Sequence, residues 1–336
     1  MPAYNIALLG NGTVAHALQA LLSSRRDALH RELGIGYTIT GVASRRTGWR
    51  ANPGGIDPAT PDGLACGDVH EWLAASRADV VFEAIALDAH TGQPALDYVR
   101  AALEHGAHVI SANKGPVVHG YRALTALAQS RERHYRFEAA VMDGAPVFSL
   151  VRECLPMAGL RAVRGVFTST ATIVLEAIEA GLSLDAGIAR AQQLGIAEAD
   201  PSYDVDGWDT AVKLCALANV LLDGDLRPDD VVREGIRGLD AAQVRQARLE
   251  GRPYRLIGDV RRDGDGVLRA RVGPSPCDAL DVLGAVRGTS LVTHFEADVF
   301  PGGLTVTSHD PDPTTTAYGM FADFVTLDRS QRAPVA

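Results

Sequence analysis

The sequence predicts an α/β protein of two domains, with strands and helices alternating in the first part and an α+β layer in the second. Three observations carry this. Short apolar runs separated by helix-length segments recur over residues 1–135, as in a sheet built through parallel crossovers. A glycine-rich turn, Gly10-Asn-Gly12-Thr-Val-Ala15, follows the first of these runs and opens a helix. Beyond residue 136 the strand runs lengthen, and Arg262-Asp-Gly-Asp-Gly266 joins two of them as a hairpin would, which suits antiparallel or mixed pairing. The boundaries read as 1–135, 136–304, and a C-terminal segment 305–336 that packs back on the first domain.

Bulk properties narrow the classes. A chain of 336 residues with 46% hydrophobic content can bury two substantial cores. Formal charge is −9, from 32 basic and 41 acidic residues without a long basic run, which argues against a nucleic-acid partner. Cys66, Cys154, Cys215 and Cys277 lie far apart and read as isolated thiols in a reducing compartment. No basic start leads into an apolar stretch, and no run of 18 apolar residues occurs. The expectation is a cytoplasmic protein that neither enters a membrane nor follows a signal peptide.

Asn5–Leu9 is an apolar strand, and a helix follows through about Leu22. Gly10 and Gly12 allow a tight turn and close approach of a phosphate, while Asn11, Thr13 and Val14 complete the loop and the helix start that supplies oriented N–H groups. Ala15 is small enough for close helix–strand packing. This context, strand then loop then helix, is what a Rossmann-like dinucleotide site requires. The second strand, Thr38–Ala43, leads into Ser44-Arg45-Arg46. A free ribose 2′-hydroxyl usually meets an acidic side chain here. A hydroxyl followed by arginines suits a 2′-phosphate, so NADP is expected, with NAD as the alternative. Asn52–Gly67, rich in Pro, Gly and Asp, reads as a surface excursion. Asp79–Ala84 is a strand, Pro94–His105 a helix, and His108–Ile110 a strand running into Ser111-Ala-Asn-Lys-Gly115. Ligands of parallel sheets lie beyond the C-terminal strand ends, which makes Asn113 and Lys114 candidates. Pro116–Val118 reads as a strand or turn, and Tyr121–Ala128 as a helix.

The second half opens with a strand, Arg136–Val141, a turn, Met142–Pro146, and a helical pattern over Val147–Cys154. Arg164–Thr168 is a strand. A helix from Ala171 to Ala180 stops at Gly181, and another, opened by Ser183, ends at Gly195. The segment Glu198-Ala-Asp-Pro-Ser-Tyr-Asp-Val-Asp-Gly-Trp-Asp-Thr-Ala-Val-Lys213 is the most informative of the chain. Asp209 and Lys213 are four apart and share one helical face. A paired ammonium can sit inside a helix pattern and act as an oriented proton donor. The plainer alternative is a surface ion pair on a helix whose acidic start complements its dipole. Later strands are Tyr254–Val260, Val267–Arg271, Ser290–Phe295 and Thr305–Thr307, and Thr316–Val325 is helical. His105 and His108 straddle a helix-to-strand break and read as unrelated, so no metal site is expected.

At these residues the chain resembles the homoserine dehydrogenases over most of its length. The likeness runs through Gly10–Ala15, Ser111-Ala-Asn-Lys114, Glu138-Ala-Ala-Val141, the closing Thr316-Ala317 and, most specifically, Glu198-x-Asp-Pro through Asp209-x-x-x-Lys213. The resemblance implies an enzyme of amino-acid biosynthesis, on the route to threonine and methionine. It would interconvert L-homoserine and L-aspartate 4-semialdehyde with a nicotinamide cofactor, usually as a homodimer built on the catalytic domain. It implies that Lys213 is the catalytic lysine with Asp209 its partner, and that Lys114 is a second active-site lysine. Glu198 would lie in the substrate site, Asp204 would hold the substrate ammonium, and Thr168 and Thr170 stand in the turn beside the substrate. Both lysines would then serve one site. A C-terminal regulatory module of the kind some members carry is not expected after Arg329.

Three departures stand out. The family's Asn-Gly-Thr-Thr-Asn-like turn is here Thr168-Ser-Thr-Ala-Thr172, which lacks the amides and the glycine. The glycine-rich turn before the last helix is Ser308-His-Asp-Pro-Asp-Pro-Thr-Thr315, whose Asp310 or Asp312 would repel a cofactor phosphate. The Met142–Pro146 turn is less glycine-rich than the family turn whose carbonyls, with those near Glu138 and Val141, can coordinate a monovalent cation. A related dehydrogenase of another small amino or hydroxy acid, or a noncatalytic nicotinamide-binding protein, are the alternative readings.

Overall fold

A computed structural model describes residues 3–332. They form two compact units: the described residues up to Gly144 together with those from Asp312, and Ala145–Pro311. In the first unit, β1 (Ala3–Leu9) runs into α1 (Thr13–Leu33), and β2 (Gly36–Ser44) into β3 (Gly48–Ala51) and β4 (Leu64–Cys66). Then come α2 (Val69–Ser76), β5 (Val80–Glu83), α3 (Ala95–His105), β6 (His108–Ser111), α4 (Lys114–Ser130) and β7 (Tyr135–Arg136). The sheet order is β4-β3-β2-β1-β5-β6-β7. From β2 to β7 the strands are parallel, and β3 and β4 add an antiparallel edge.

Several elements extend or replace those expected. The α1 helix continues to Leu33 because Ala15, Leu18, Leu22 and Leu29 keep one buried face, and Gly34 ends it at φ 63°. Pro116 falls within the first turn of α4, where a missing N–H costs nothing, so Pro116–Val118 continues the helix instead of forming a strand or turn. Asn113 caps that helix by accepting from the Gly115 N–H. The excursion from Asn52 to Gly67 is not wholly irregular, since Leu64–Cys66 pairs with β3.

The second unit contains β8 (Leu160–Val166), α5 (Ser169–Glu179), α6 (Leu184–Gln193), α7 (Ser202–Val205), α8 (Trp208–Leu221) and β9 (Val232–Arg233). It continues through α9 (Ala241–Leu249), β10 (Tyr254–Arg262), β11 (Leu268–Pro276), β12 (Leu291–Ala297) and β13 (Phe300–Ser308). Its sheet order is β13-β12-β8-β10-β11-β9, antiparallel except for the β9–β11 pair. The hairpin expected at Arg262–Gly266 joins β10 to β11. Leu150–Cys154 makes a single π-helical turn. The last helix, α10 (Pro313–Arg332), belongs to the first unit and packs on α1, with Met320 and Phe324 buried in the cluster around Leu8 and Phe82.

These contacts move both boundaries. Residues 136–144, read as the start of the second domain, lie in the first unit. The strand expected over Arg136–Val141 stops at Arg136 and becomes a 3-10 turn at Glu138–Ala140. The reason is α10: the Glu138 N–H donates to the Asp323 carboxylate at 2.9 Å, leaving no amide there for a strand partner. Gly144, at φ 88°, and Gly319 bring backbones together, since a Cβ on Gly319 would stand 2.5 Å from the Gly144 Cα. At the other end, residues 305–311 belong to the second unit, because β13 pairs with β12 through Ser308.

Candidate active site

In the first unit β1 lies between β2 and β5, so the chain leaves the sheet in opposite directions at their C-terminal ends and opens a crevice. A cavity of about 520 Å³ occupies it. Gly10, Asn11 and Gly12 line it after β1, Ser44, Arg45 and Arg46 after β2, and Ala84, Ile85 and Ala86 after β5, with Trp49, Pro94 and Tyr98 as further walls. Gly10 has φ 107°, and a Cβ there would stand 2.4 Å from the Ala84 carbonyl oxygen. Gly12 precedes α1 without a side-chain cap, and nothing lies within 4 Å of where its Cβ would be. Gly12 thus brings the uncapped start of α1 to a cavity that Arg45 and Arg46 also line, which fits the pyrophosphate and ribose of a dinucleotide.

The loop side chains divide by role. Asn11 is held within the protein, donating to the Pro58 carbonyl at 3.0 Å and accepting from Gln19 at 3.0 Å. Thr13 is exposed, while Val14 packs against the core. Ser44 shares a 2.8 Å hydrogen bond with Thr47, which shapes the turn carrying the exposed Arg45 and Arg46. Asn113 is buried, with its amide directed to Glu83 and Ile85, and the partly buried Lys114 opens α4. Asn113 and Lys114 are not among the residues lining the cavity.

The second unit gathers Asp204, Asp209, Lys213 and the start of α5. Lys213 and Asp209 are 8% and 9% exposed, which excludes the surface-pair alternative, and their ion pair spans 2.8 Å. The Lys213 ammonium also donates to the Phe167 carbonyl at 2.6 Å. That carbonyl is turned inward where β8 has ended and α5 has not begun. Thr170 donates to Asp204 at 2.7 Å. Burial, then the Asp209 charge, pushes the Asp204 carboxyl above its ordinary value, while the Thr170 hydroxyl and Lys213 pull it down. Thr168 stands at the N-cap of α5 without capping it through its side chain, so the first amides of α5 lack a side-chain cap beside this cluster. Glu198 lies apart from these hydrogen bonds on an exposed stretch between α6 and α7, with its carbonyl accepting from Gln192 at 3.1 Å.

The departures from the family pattern have local explanations. Ser169 donates to the Thr289 carbonyl and Thr172 to the Thr168 carbonyl, so these hydroxyls brace the turn. Asp310 accepts from Thr289 at 2.8 Å, and Asp312 accepts from the Thr314 and Thr315 amides at the start of α10. Both acidic groups thus have partners within their own units. Among the described residues no three His, Cys, Asp or Glu side chains group as a metal site. Sequence reasoning did not single out the Phe167 carbonyl, which has no side-chain signature. It also passed over Trp49, Tyr98 and Glu83, although a carboxylate ending the apolar run Val80-Val-Phe-Glu83 was a visible signal.

The chain is similar to known proteins over nearly its whole length. Residues 10–138 match the family model described as homoserine dehydrogenase, NAD binding domain, and residues 146–325 the model described as homoserine dehydrogenase. An NAD(+)-dependent homoserine dehydrogenase of Pseudomonas canavaninivorans is 32% identical, with 98% of this chain and 97% of the relative covered. A putative homoserine dehydrogenase structure from Archaeoglobus fulgidus superposes with a TM-score of 0.85 at 28% identity, covering 97% of this chain and 99% of that one. One from Thiobacillus denitrificans gives 0.86 at 26%, covering 99% of this chain and 75% of that one. With a nucleotide cavity in one unit, a buried lysine–aspartate pair in the other, and both family models matched in order, this chain belongs to the homoserine dehydrogenase family of NAD(P)-dependent oxidoreductases.

Proposed function

We propose that the chain interconverts L-homoserine and L-aspartate 4-semialdehyde, with Lys213 delivering or removing the proton on the reacting oxygen. The observation that carries this is the buried Lys213, held between the Asp209 carboxylate and the Phe167 carbonyl with Asp204 and Thr170 beside it. Gly10, Gly12, the first amides of α1 and the Arg45–Arg46 pair would hold the nicotinamide dinucleotide. When bound, that cofactor supplies or accepts the hydride. An aldehyde oxygen gaining negative charge is stabilised and protonated by a lysine ammonium at contact distance, and Asp209 keeps that ammonium oriented. The substrate ammonium would pair with Asp204, and its carboxylate would take the amides at the start of α5, with Thr168 and Thr170 flanking. Glu198 would join the substrate site and Lys114 would act as the second lysine.

NADP is the proposed cofactor, supported by Ser44, Arg45 and Arg46 where an acidic residue would otherwise meet the 2′-hydroxyl. The Pseudomonas canavaninivorans relative, named as NAD(+)-dependent, makes NAD the competing choice. A homodimer in the cytoplasm completes the reading. A specific observation favours a second substrate: Ser169 and Thr172 brace the turn where the family has amides, which leaves fewer groups to recognise homoserine itself.

The test is a spectrophotometric assay of wild type and Lys213→Ala with NADPH or NADH and L-aspartate 4-semialdehyde, followed by other small aldehydes and keto acids. The expected outcome is semialdehyde reduction, faster with NADPH, that falls by at least about a hundredfold in the variant while cofactor binding persists. Activity confined to another aldehyde would transfer the reading to the related dehydrogenase. Tight cofactor binding with no turnover across the panel would reject catalysis.

A further inference from the structure

The carboxyl of Glu83 ends β5 with no exposure at all. Burial alone does not call for an acid there, since Val80, Val81 and Phe82 fill the same strand with apolar side chains. Burying a carboxyl is costly unless its oxygens are satisfied, and burial pushes this one above the ordinary range while its hydrogen bonds oppose the shift. Among the described residues its hydrogen-bond partners are three uncharged donors: the Ile85 N–H at 2.9 Å, the Ser111 hydroxyl at 2.5 Å and the Asn113 amide at 3.2 Å. The Ser111 oxygen in turn accepts from the Asn113 N–H at 3.0 Å, and the Asn113 side-chain oxygen accepts from the Gly115 N–H at 2.9 Å. Every anchor of this network is a neighbour of a proposed functional element. Ile85 is in the wall of the nucleotide cavity, and Lys114 sits between the two residues fixed last.

We propose that Glu83 is a positioning residue of the dehydrogenase reaction, tying the cavity wall at Ile85 to Ser111 and Asn113 and thereby setting the turn that presents Lys114. The proposal rests on reading Lys114 as an active-site lysine. Glutamine keeps an oxygen for Ile85 and Asn113 and can donate to the Ser111 oxygen, so it preserves the network. Leucine fills the space and removes the three hydrogen bonds to Glu83.

The experiment is a double-mutant cycle on whichever aldehyde the wild type reduces. Glu83→Leu, Glu83→Gln and Ser111→Ala are made alone and with Lys114→Ala, with melting temperature and NADPH affinity measured for each. We expect Glu83→Leu to lower kcat at least about tenfold with a smaller change in KM, and Glu83→Gln to retain most activity. In the Lys114→Ala background the further loss from Glu83→Leu should be less than about twofold. Should Glu83→Leu fail to fold, Ser111→Ala supplies the same cycle with a milder lesion. Losses that multiply fully in the double variants, or wild-type kcat in a folded Glu83→Leu, overturn the coupling while leaving Lys114 in place. A silent Lys114→Ala overturns the role of Lys114 itself and the coupling with it.

Discussion

His108 shows how one buried side chain ties stability to pH. It is 6% exposed, and its Nδ1 accepts the His134 backbone N–H at 3.0 Å, a bond that requires an unprotonated nitrogen. Burial first, then the neighbouring His134, Arg133 and Arg136, lowers its pKa from 6.5 to about 4. A folded-state pKa below the unfolded value means that the unfolded chain takes up a proton the folded chain refuses. Stability contributed by neutral His108 is thus complete above pH 6.5 and is lost as pH falls toward about 4. Urea unfolding of wild type and His108→Gln between these limits should give a shallower pH slope for the variant, and parallel slopes would refute the assignment. The site residues were unequally legible at this scale. Asp209 and Lys213 could be paired from spacing, because helical geometry alone puts residues four apart on one face. The Phe167 carbonyl could not, because any residue offers one and only the end of β8 aims it.

At the scale of elements, two glycines separate folding from binding. Gly319 in α10 lies against the Gly144 backbone, so Gly319→Ala must displace the helix or the turn at Gly144. That change should destabilise the protein by about 1–3 kcal/mol, the usual cost of overpacking, read as a lowered melting temperature. Gly12→Ala meets nothing within 4 Å, so unfolding should be unchanged within about 0.5 kcal/mol. The added methyl group projects from the mouth of α1, and NADPH titration should show weaker binding. Unchanged affinity would mean that the dinucleotide does not approach this helix end. Element types were readable where period and caps agreed, as for α6 after Ser183 and the β10–β11 hairpin. The β3 strand was missed because Gly48-Trp-Arg-Ala51 is four residues long, too short for alternation to show. Pro116 misled because a proline argues against a helix interior but not against its first turn.

For the whole molecule, the proposed homodimer predicts a sedimenting species of twice 35.6 kDa at micromolar concentration. A single species at 35.6 kDa across that range would reject the homodimer. By itself the sequence determined the α/β class, the glycine loop at the end of β1, and the helix that carries Asp209 and Lys213. Each of these depends on local conformational preference and on periods of two and 3.6 residues, which survive in any window of the chain. Only the tertiary structure decided that Glu138–Ala140 belongs with α10, that Glu83 is buried against Ser111 and Asn113, and that Asp310 is engaged by Thr289. Those outcomes depend on which backbone amide or hydroxyl arrives from a distant segment to satisfy a polar group removed from water, and no local pattern encodes that partner.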